Sequence, residues 1–561
     1  MTPTARRWLA LFGAGTLALM LTIATSFTRH ALARASERQA QQGAEATFTG
    51  KWVAQTTFGG TTRETTYFLT QRGNSLTGAM LNGYRMQDIT DGTVNGKQAT
   101  WAIVIGTGDQ QRRVEYTATL DGDELTVTMT GAGGFGRRGG AGAGPGGAVA
   151  AGGSSRGAAP AAGRGRGGPT IAKRMSNDGT PVGPFDNLPK EVLPAIHNVS
   201  DGGLAKTPPM GWNSWYHFRA AIDDAAVRGI ADAVVSSGMK DAGYTYINID
   251  DTWEGSRDAN GNTQSNSRFP DMKALADYIH SKGLLFGLYS SPGPRTCGGY
   301  EGSYGHEAQD AKTWASWGVD FLKYDWCSAS VMFKPEDEHA VYQEMGDALR
   351  ATGRPIVFSL CQYGQVNVQT WGAQVGGNMW RTTGDNGDSW QAMSHAGFDE
   401  QVGLEKFSGP GHWNDPDMLQ VGNGGMTDTE YQTQMSLWSM LAAPLLAGND
   451  PRDMTQATRD ILTNRDVIAI DQDKAGHQGY RVAKSGDNEV WVRPLAKGDL
   501  AIALFNRGGS AARITATWSD LKLSGKYRVR DLWQHKDLGR VKDSFSAEVP
   551  SHGVVLIRVS R

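Results

Sequence analysis

Phe321-Leu322-Lys323-Tyr324-Asp325-Trp326-Cys327 is a short apolar run that stops on a carboxylate, and seven more runs of the same kind surround it. They are Met210 to Trp215, Tyr246 to Asp251, Leu284 to Ser290, Ile356 to Cys361, Met379 to Asp385, His412 to Leu419 and Ala443 to Asp450. Between them, Ala225 to Met239, Met272 to Lys282, Ala308 to Trp317, His339 to Leu349 and Glu430 to Leu441 place apolar residues at three- and four-residue spacing, as a helix with one buried face requires. Strands alternating with helices predict a parallel sheet, and eight such units predict closure into a (β/α)8 TIM barrel over 205–477.

Such barrels build their active sites at the C-terminal ends of the strands, so Asp250, Asp251, Asp325, Asp385 and Asp417 are expected on one ring. Trp212, Trp215, Trp253, Tyr289 and Trp326 sit near the same ends. Each offers an apolar face to a pyranose or, alternatively, fills the core.

Outward from the barrel the composition changes. Residues 46–130 alternate apolar and polar residues between the turn signals Gly73-Asn74, Asn82-Gly83, Asn95-Gly96 and Asp121-Gly122-Asp123, which predicts a small accessory all-β domain, a sandwich or a barrel. It serves as a spacer or binds a glycan. Residues 131–190 are dominated by Gly, Ala, Arg and Pro and hold much of the chain's excess of glycine, 74 residues in all, so a flexible linker is expected. Its arginines Arg137, Arg138, Arg156, Arg164 and Arg166 resemble a nucleic-acid-binding segment, but base-stacking aromatics are nearly absent and no nucleic-acid partner is expected. Residues 478–561 repeat the β pattern in Val490-Trp491-Val492, Leu500 to Phe505 and Val554 to Ile557, predicting an antiparallel β-sandwich without catalytic groups.

The first 35 residues carry Arg6 and Arg7, an apolar stretch from Trp8 to Phe27 and small-residue sites at Ala31-Leu32-Ala33 and Ala33-Arg34-Ala35, the order of an export signal. Residues 8–28 are also long enough for a membrane tether, so a secreted or periplasmic protein and a membrane-anchored one both stand. A net charge of −2 recommends neither nucleic acid nor an anionic surface. Cys297, Cys327 and Cys361 are the only cysteines, and neither they nor the scattered histidines show metal-ligand spacing, so no metal is expected.

Lys323 and Asp325 lie two apart on one strand and therefore share a face. An ammonium beside a carboxylate favours the ionised form, which suits a nucleophile; a buried structural ion pair is the alternative. Arg381-Thr382-Thr383-Gly384-Asp385 brings a second carboxylate to the mouth of strand six. Two carboxyl groups across a sugar-sized pocket, roughly 5 to 5.5 Å apart, are what glycoside hydrolysis with retention requires.

These residues carry a resemblance. Pro209 to Trp215, Ile249-Asp250-Asp251-Thr252-Trp253, Gly305 to Gly318 leading into Leu322 to Cys327, Trp413 to Leu419, and Val467 to Gln472 with Gly479-Tyr480 are together similar to glycoside hydrolase family 27, the α-galactosidase and α-N-acetylgalactosaminidase family. The similarity covers 206–561 and none of the first two hundred residues. It implies Asp325 as nucleophile and Asp385 as general acid/base. It further implies Asp250, Asp251 and Lys323 on the 4-, 6- and 3-hydroxyls of galactose, Arg381 and Asp417 on the 2- and 3-hydroxyl side, Trp215 and Tyr289 as pocket wall, and a Cys297–Cys327 disulfide.

The chain departs from the family at Thr252, where many members have cysteine, and at Cys361, whose usual partner is missing. It also has Gln362 where galactosidases commonly have glutamate and N-acetylgalactosaminidases a small residue. Gln362 is therefore expected against the sugar's 2-substituent and is expected to favour galactose over N-acetylgalactosamine. The resulting expectation is an exported, cofactor-free retaining α-galactosidase acting on terminal α-galactosyl groups. The alternatives are the same mechanism on a β-L-arabinopyranoside or an α-N-acetylgalactosaminide, and a glycan-binding protein without catalysis. Nothing in the sequence reads on oligomeric state.

Overall fold

The structure, a computed structural model, describes residues 47–58, 61–82, 85–105, 112–131, 170–175 and 188–561. The export segment 1–35, the tether reading of 8–28 and the linker arginines lie outside the described residues. No described helix is long and apolar enough to cross a membrane. The chain divides into an N-terminal β unit and a larger unit that holds the parallel barrel and the C-terminal domain.

The N-terminal unit consists of β1 (Gly50–Phe58), β2 (Thr61–Arg72), β3 (Ser75–Asn82), β4 (Arg85–Asp88), β5 (Thr90–Asn95), β6 (Gln98–Ile105), β7 (Arg112–Asp121), β8 (Glu124–Gly131) and β9 (Thr170–Met175). Pairing of β2 with both β1 and β3 closes β1-β9-β8-β7-β6-β5-β3-β2 into an antiparallel barrel around Trp52, Tyr67, Leu69, Trp101, Leu120 and Leu125. The β7–β8 hairpin turns through Gly122 at φ +61°, a conformation that a side chain disfavours.

The domain boundary at 130 and the linker 131–190 are corrected here. Thr170–Met175, inside the stretch expected to be flexible, is a strand inserted between β1 and β8. Without it both neighbours would expose an unpaired edge. Its anchors are local: Ala172 is buried, and the Arg174 guanidinium lies 4.0 Å from the Trp52 ring centre and 2.8 Å from Asp123. Six alternating residues beside a long Gly/Ala/Arg tract give little periodic signal.

The larger unit begins with β10 (Met210–Asn213), β11 (Tyr246–Asn248), β12 (Leu285–Ser290), β13 (Phe321–Asp325), β14 (Val357–Cys361), β15 (Met379–Arg381), β16 (Trp413–Asp415) and β17 (Leu445–Ala447). All eight are parallel, in the order β16-β15-β14-β13-β12-β11-β10-β17, and a bridge between Leu419 and Ala447 closes the ring. Helices Asp224–Ser236, Met272–Ser281, Glu307–Trp317, Glu338–Ala351 and Asp428–Leu441 cover it. They start where the side chains cap them: Asp223 accepts from Ala226 N, Asp271 from Ala274 N, and Thr427 with Glu430 forms a capping box. After β14 comes the short helical turn Gln365–Thr370, and after β15 the helix Trp390–Ser394 continuing as a π-helical turn through His395–Asp399, then Glu405–Phe407. That leaves irregular chain free to shape the mouth.

The C-terminal domain pairs β18 (Tyr480–Ser485), β19 (Asn488–Pro494), β20 (Leu500–Asn506), β22 (Lys526–Asp531), β23 (Lys536–Lys542) and β25 (Val554–Ser560) in one antiparallel sheet. β21 (Ala512–Thr517) and β24 (Ser544–Val549) form the second layer over Ile502, Leu504, Trp518 and Ile557. Its other face joins the barrel core through Trp491, Phe505 and Leu556, so the two domains share one apolar interior.

Candidate active site

Asp325 closes β13, and its backbone is in register with Cys361 at the end of β14. Its side chain is 7% exposed. Oδ1 accepts a 2.5 Å hydrogen bond from the Tyr363 hydroxyl, and Oδ2 lies 4.0 Å from Lys323 Nζ. Burial pushes the carboxyl up to about 6; Lys323 and the Tyr363 hydrogen bond oppose that shift, while Asp385 and Asp250 add to it. The ammonium therefore favours ionisation, as expected, but desolvation outweighs it.

Lys323 gives its closest contact to Asp250, at 2.8 Å from Oδ2, the same oxygen that accepts from Asn213 Nδ2 at 2.8 Å. Asp250 and Asp251 follow β11 after Ile249 and are both buried. Asp251 accepts from Thr252 N at 2.6 Å and from Gly298 N at 2.5 Å. Burial raises its carboxyl to about 7 against the pull of Thr296 and Gly298. The two acids thus join the loop after β12 to the barrel floor.

Arg381, at the end of β15, is buried and reaches four groups: Thr383 O at 3.1 Å, Asp385 Oδ1 at 3.3 Å, Asp417 Oδ2 at 3.3 Å and Cys361 Sγ at 3.7 Å. Asp417 adopts φ +80°, unusual for a residue with a side chain, and accepts from Asn386 N at 2.8 Å and from the Tyr216 hydroxyl. Asp385 is the exception to this burial, with a side chain 53% exposed. Asn213, Lys323, Cys361, Arg381, Asp415 and Asp417, with the apolar Phe321, Met379 and Leu446, line a small cavity.

Asp250, Asp251, Lys323, Asp325, Arg381, Asp385 and Asp417 are thus linked through direct contacts and electrostatic coupling. Tyr289 is buried under the Lys323 ammonium, 5.2 Å from its ring centre, and Trp215 is buried with the Arg219 guanidinium 5.4 Å from its ring. The disulfide joins Cys297 to Cys327, and Cys361 is a buried free thiol. Both sulfurs of that disulfide lie near Asp325, where their bond withholds them as thiolate ligands.

Trp212, Trp253 and Trp326 belong to the apolar core rather than to a sugar platform; Trp212 and Trp253 spend their indole N–H groups on Asn449 O and Tyr289 O. Gln362 is fully buried, with Oε1 accepting from Gly364 N at 2.7 Å. Its Oε1 is used inside its own turn while its Nε2 is buried without a protein partner, and Cys361, one residue earlier, faces the cavity. Ser359 and Cys361, two apart on β14, share the inner face. Sequence reasoning gave no site role to Asn213 or Tyr216 and missed the hydroxyl of Tyr363. Asn213, at the C-terminal end of β10, was the most accessible of the three.

Residues 207–473 match the family described as alpha galactosidase A, and residues 485–559 match the alpha galactosidase C-terminal beta sandwich domain. The chain is 49% identical over 360 residues to an alpha-galactosidase from Cyamopsis tetragonoloba, covering 63% of this chain and 86% of that protein. It is 45% identical over 381 residues to alpha-galactosidase A of Cellvibrio japonicus, covering 64% and 93%. Among solved structures, alpha-galactosidase I from Mortierella vinacea superposes with a TM-score of 0.62 at 37% identity, covering 64% of this chain and 98% of that one.

Proposed function

The chain belongs to glycoside hydrolase family 27, the alpha-galactosidase family, and is a glycoside hydrolase; on that premise we propose that it is exported and removes terminal α-D-galactosyl residues from oligo- or polysaccharides with retention of configuration. Asp325 attacks the anomeric carbon while Asp385 protonates the departing oxygen, and Asp385 then takes a proton from the water that cleaves the galactosyl-enzyme. The two carboxyl groups are expected roughly 5 to 5.5 Å apart. Asp250, Asp251 and Lys323 hold the 4-, 6- and 3-hydroxyls, Arg381 and Asp417 the 2- and 3-hydroxyl side, and Trp215 and Tyr289 support the wall. Charged hydrogen bonds to an axial hydroxyl discriminate against a sugar lacking it. No cofactor enters the scheme.

The observation that carries this reading is the pairing of unlike carboxylates. Asp325 is buried between a phenol and an ammonium, while Asp385 is open and tied to the same network by Arg381. A nucleophile needs the first environment; a group that must exchange its proton with water needs the second.

The test is a panel of p-nitrophenyl α-galactoside, α-N-acetylgalactosaminide and β-L-arabinopyranoside, with the first-formed anomer followed by proton NMR. The α-galactoside should be cleaved best, releasing α-galactose first. Faster cleavage of either other glycone would reassign the substrate, release of β-galactose would mean inversion, and tight binding without turnover would leave a lectin. Fractionation of expressing cells checks export and separates a released enzyme from a tethered one.

A further inference from the structure

The loop after β14 carries a group that the proposed scheme does not use. Tyr363 has φ +63°, a left-handed conformation that a bulky aromatic residue adopts only when its surroundings enforce it. The enforcement is visible on both sides. Gly364 follows at φ +76°, where a Cβ would stand 2.5 Å from Thr382 O, and Gln362 Oε1 accepts from Gly364 N. The hydroxyl is held 3.6 Å from Cys297 Sγ and 3.8 Å from Cys327 Sγ, and 2.5 Å from Asp325 Oδ1. Disulfide sulfurs are weak acceptors and a carboxylate is a strong one, so the phenolic proton points at Asp325.

Around Asp325 stand Lys323 on its own strand, Asp250 after β11, Tyr289 on β12, Tyr342 from helix Glu338–Ala351, Cys361 and Tyr363 at the end of β14, and Asp385 after β15. Lys323 directs its short contact to Asp250 and remains 4.0 Å from Asp325. The phenol is thus the closest donor to Asp325. Burial keeps its own pKa well above the ordinary tyrosine value, so it stays neutral and able to donate.

We infer that Tyr363 is a catalytic residue whose hydroxyl hydrogen-bonds the Asp325 carboxylate and promotes its departure from the sugar in the second step. The inference rests on the retaining reading above. In that step the bond between the anomeric carbon and the Asp325 oxygen breaks, and its electron pair returns to the carboxylate. The water oxygen bonds to the carbon, and the water proton passes to Asp385. Tyr363 transfers no proton. It binds a carboxylate more strongly than an ester, so it stabilises Asp325 as charge reappears there and gives no such help while the ester forms.

The test is Tyr363→Phe on 2,4-dinitrophenyl α-galactoside, whose leaving group makes breakdown of the galactosyl-enzyme rate-limiting. We expect kcat to fall about tenfold or more with kcat/KM nearly unchanged, and a galactosyl adduct to appear in the intact mass of the enzyme at steady state. The acid limb of kcat/KM should move to higher pH, because Asp325 loses a hydrogen bond that favours its ionised form. Parallel loss of kcat and kcat/KM without an adduct or a shifted limb, with or without a lowered Tm, would assign Tyr363 to packing and overturn the inference. If wild-type product is inverted, the retaining reading fails and this inference with it. Retained product with an unchanged adduct level in Tyr363→Phe sinks the inference alone.

Discussion

Asp325 and Asp385 are carboxylates with opposite surroundings. At the end of β13 the Asp325 side chain is 7% exposed and held by strand register and the Tyr363 hydroxyl; on the chain after β15 Asp385 is 53% exposed and meets Arg381 at 3.3 Å. One group is set before any substrate arrives, on a rigid strand in a dry site. The other sits on irregular chain, tied to the barrel by Arg381 and through its neighbour Asn386, whose N–H binds Asp417. The contrast suits the proposed mechanism, with attack in the region that burial fixes and proton exchange in the region that water reaches.

Removing the buried member should have the largest effect. Asp325→Asn is expected to cut kcat on every α-galactoside by at least about 10⁴-fold, with added azide or formate restoring activity and giving inverted product. The same variant should unfold at higher temperature at neutral pH. A carboxyl raised in the native state to about 6 adds stability below its unfolded pKa and loses it as pH rises through 6. The gain in Tm should therefore be present at pH 7 and vanish near pH 4, as calorimetry at the two pH values would reveal. An unchanged kcat would remove Asp325 from the mechanism.

Removing the open member should act selectively. Asp385→Ala is expected to slow substrates with poor leaving groups by about 10² to 10⁴-fold and activated aryl galactosides far less at the bond-breaking step, because only the former need a proton at the departing oxygen. Its solvent access should also let azide act as a substitute nucleophile on the β-linked galactosyl-enzyme, giving an α-galactosyl azide with configuration retained. Equal losses on both substrate types, measured as kcat/KM against leaving-group pKa, would contradict the role. The acid limb of the wild-type profile should lie near 6, where burial sets Asp325.

Much of this contrast could be read before the fold was in hand. All eight barrel strands fall inside the apolar runs, because a short parallel strand buried on both faces must be apolar and must end where the chain meets water. Lys323, Asp325, Asp250, Asp251 and Arg381 were found at those ends for the same reason. Tyr363 and Tyr216 were not credited with their bonds to Asp325 and Asp417, since both act through the path of a loop and period-two patterning stops with the strand. β9 was lost in the composition of its neighbours. Gln362 follows the last residue of β14, so strand alternation does not fix its direction; what the structure shows is its Oε1 bound to Gly364 N.

The chain that carries Asp385 has a second support in the C-terminal domain, and loosening it should have a moderate effect. Trp390 stacks on His552 with ring centres 4.2 Å apart, and His552 Nδ1 lies 2.7 Å from Glu430 in the helix cap. Asp388 between them accepts from Tyr431 Oη at 2.8 Å. His552→Ala should let this segment shift and lower kcat about three- to tenfold on poor leaving groups, with little change on activated ones and none in the acid limb. A uniform loss across leaving groups would mean that His552 only stabilises the domain contact.

The smallest effect is expected at Gln362, and it separates the two faces of one strand end. The residue is fully buried, its Oε1 is bound to Gly364 N, and the cavity wall at this point is Cys361. A side chain whose oxygen is held in its own loop is expected to crowd an N-acetyl group little. Gln362→Ser should therefore change the ratio of kcat/KM for p-nitrophenyl α-galactoside over the α-N-acetylgalactosaminide by no more than about twofold, a free-energy difference below the cost of one lost neutral hydrogen bond to substrate. It should lower Tm, because the Gly364 N–H loses its partner and a gap opens behind Tyr363. Any activity loss should then follow that of Tyr363→Phe, in kcat rather than in sugar preference. A tenfold swing toward the N-acetyl sugar would instead put Gln362 on the substrate side of the wall.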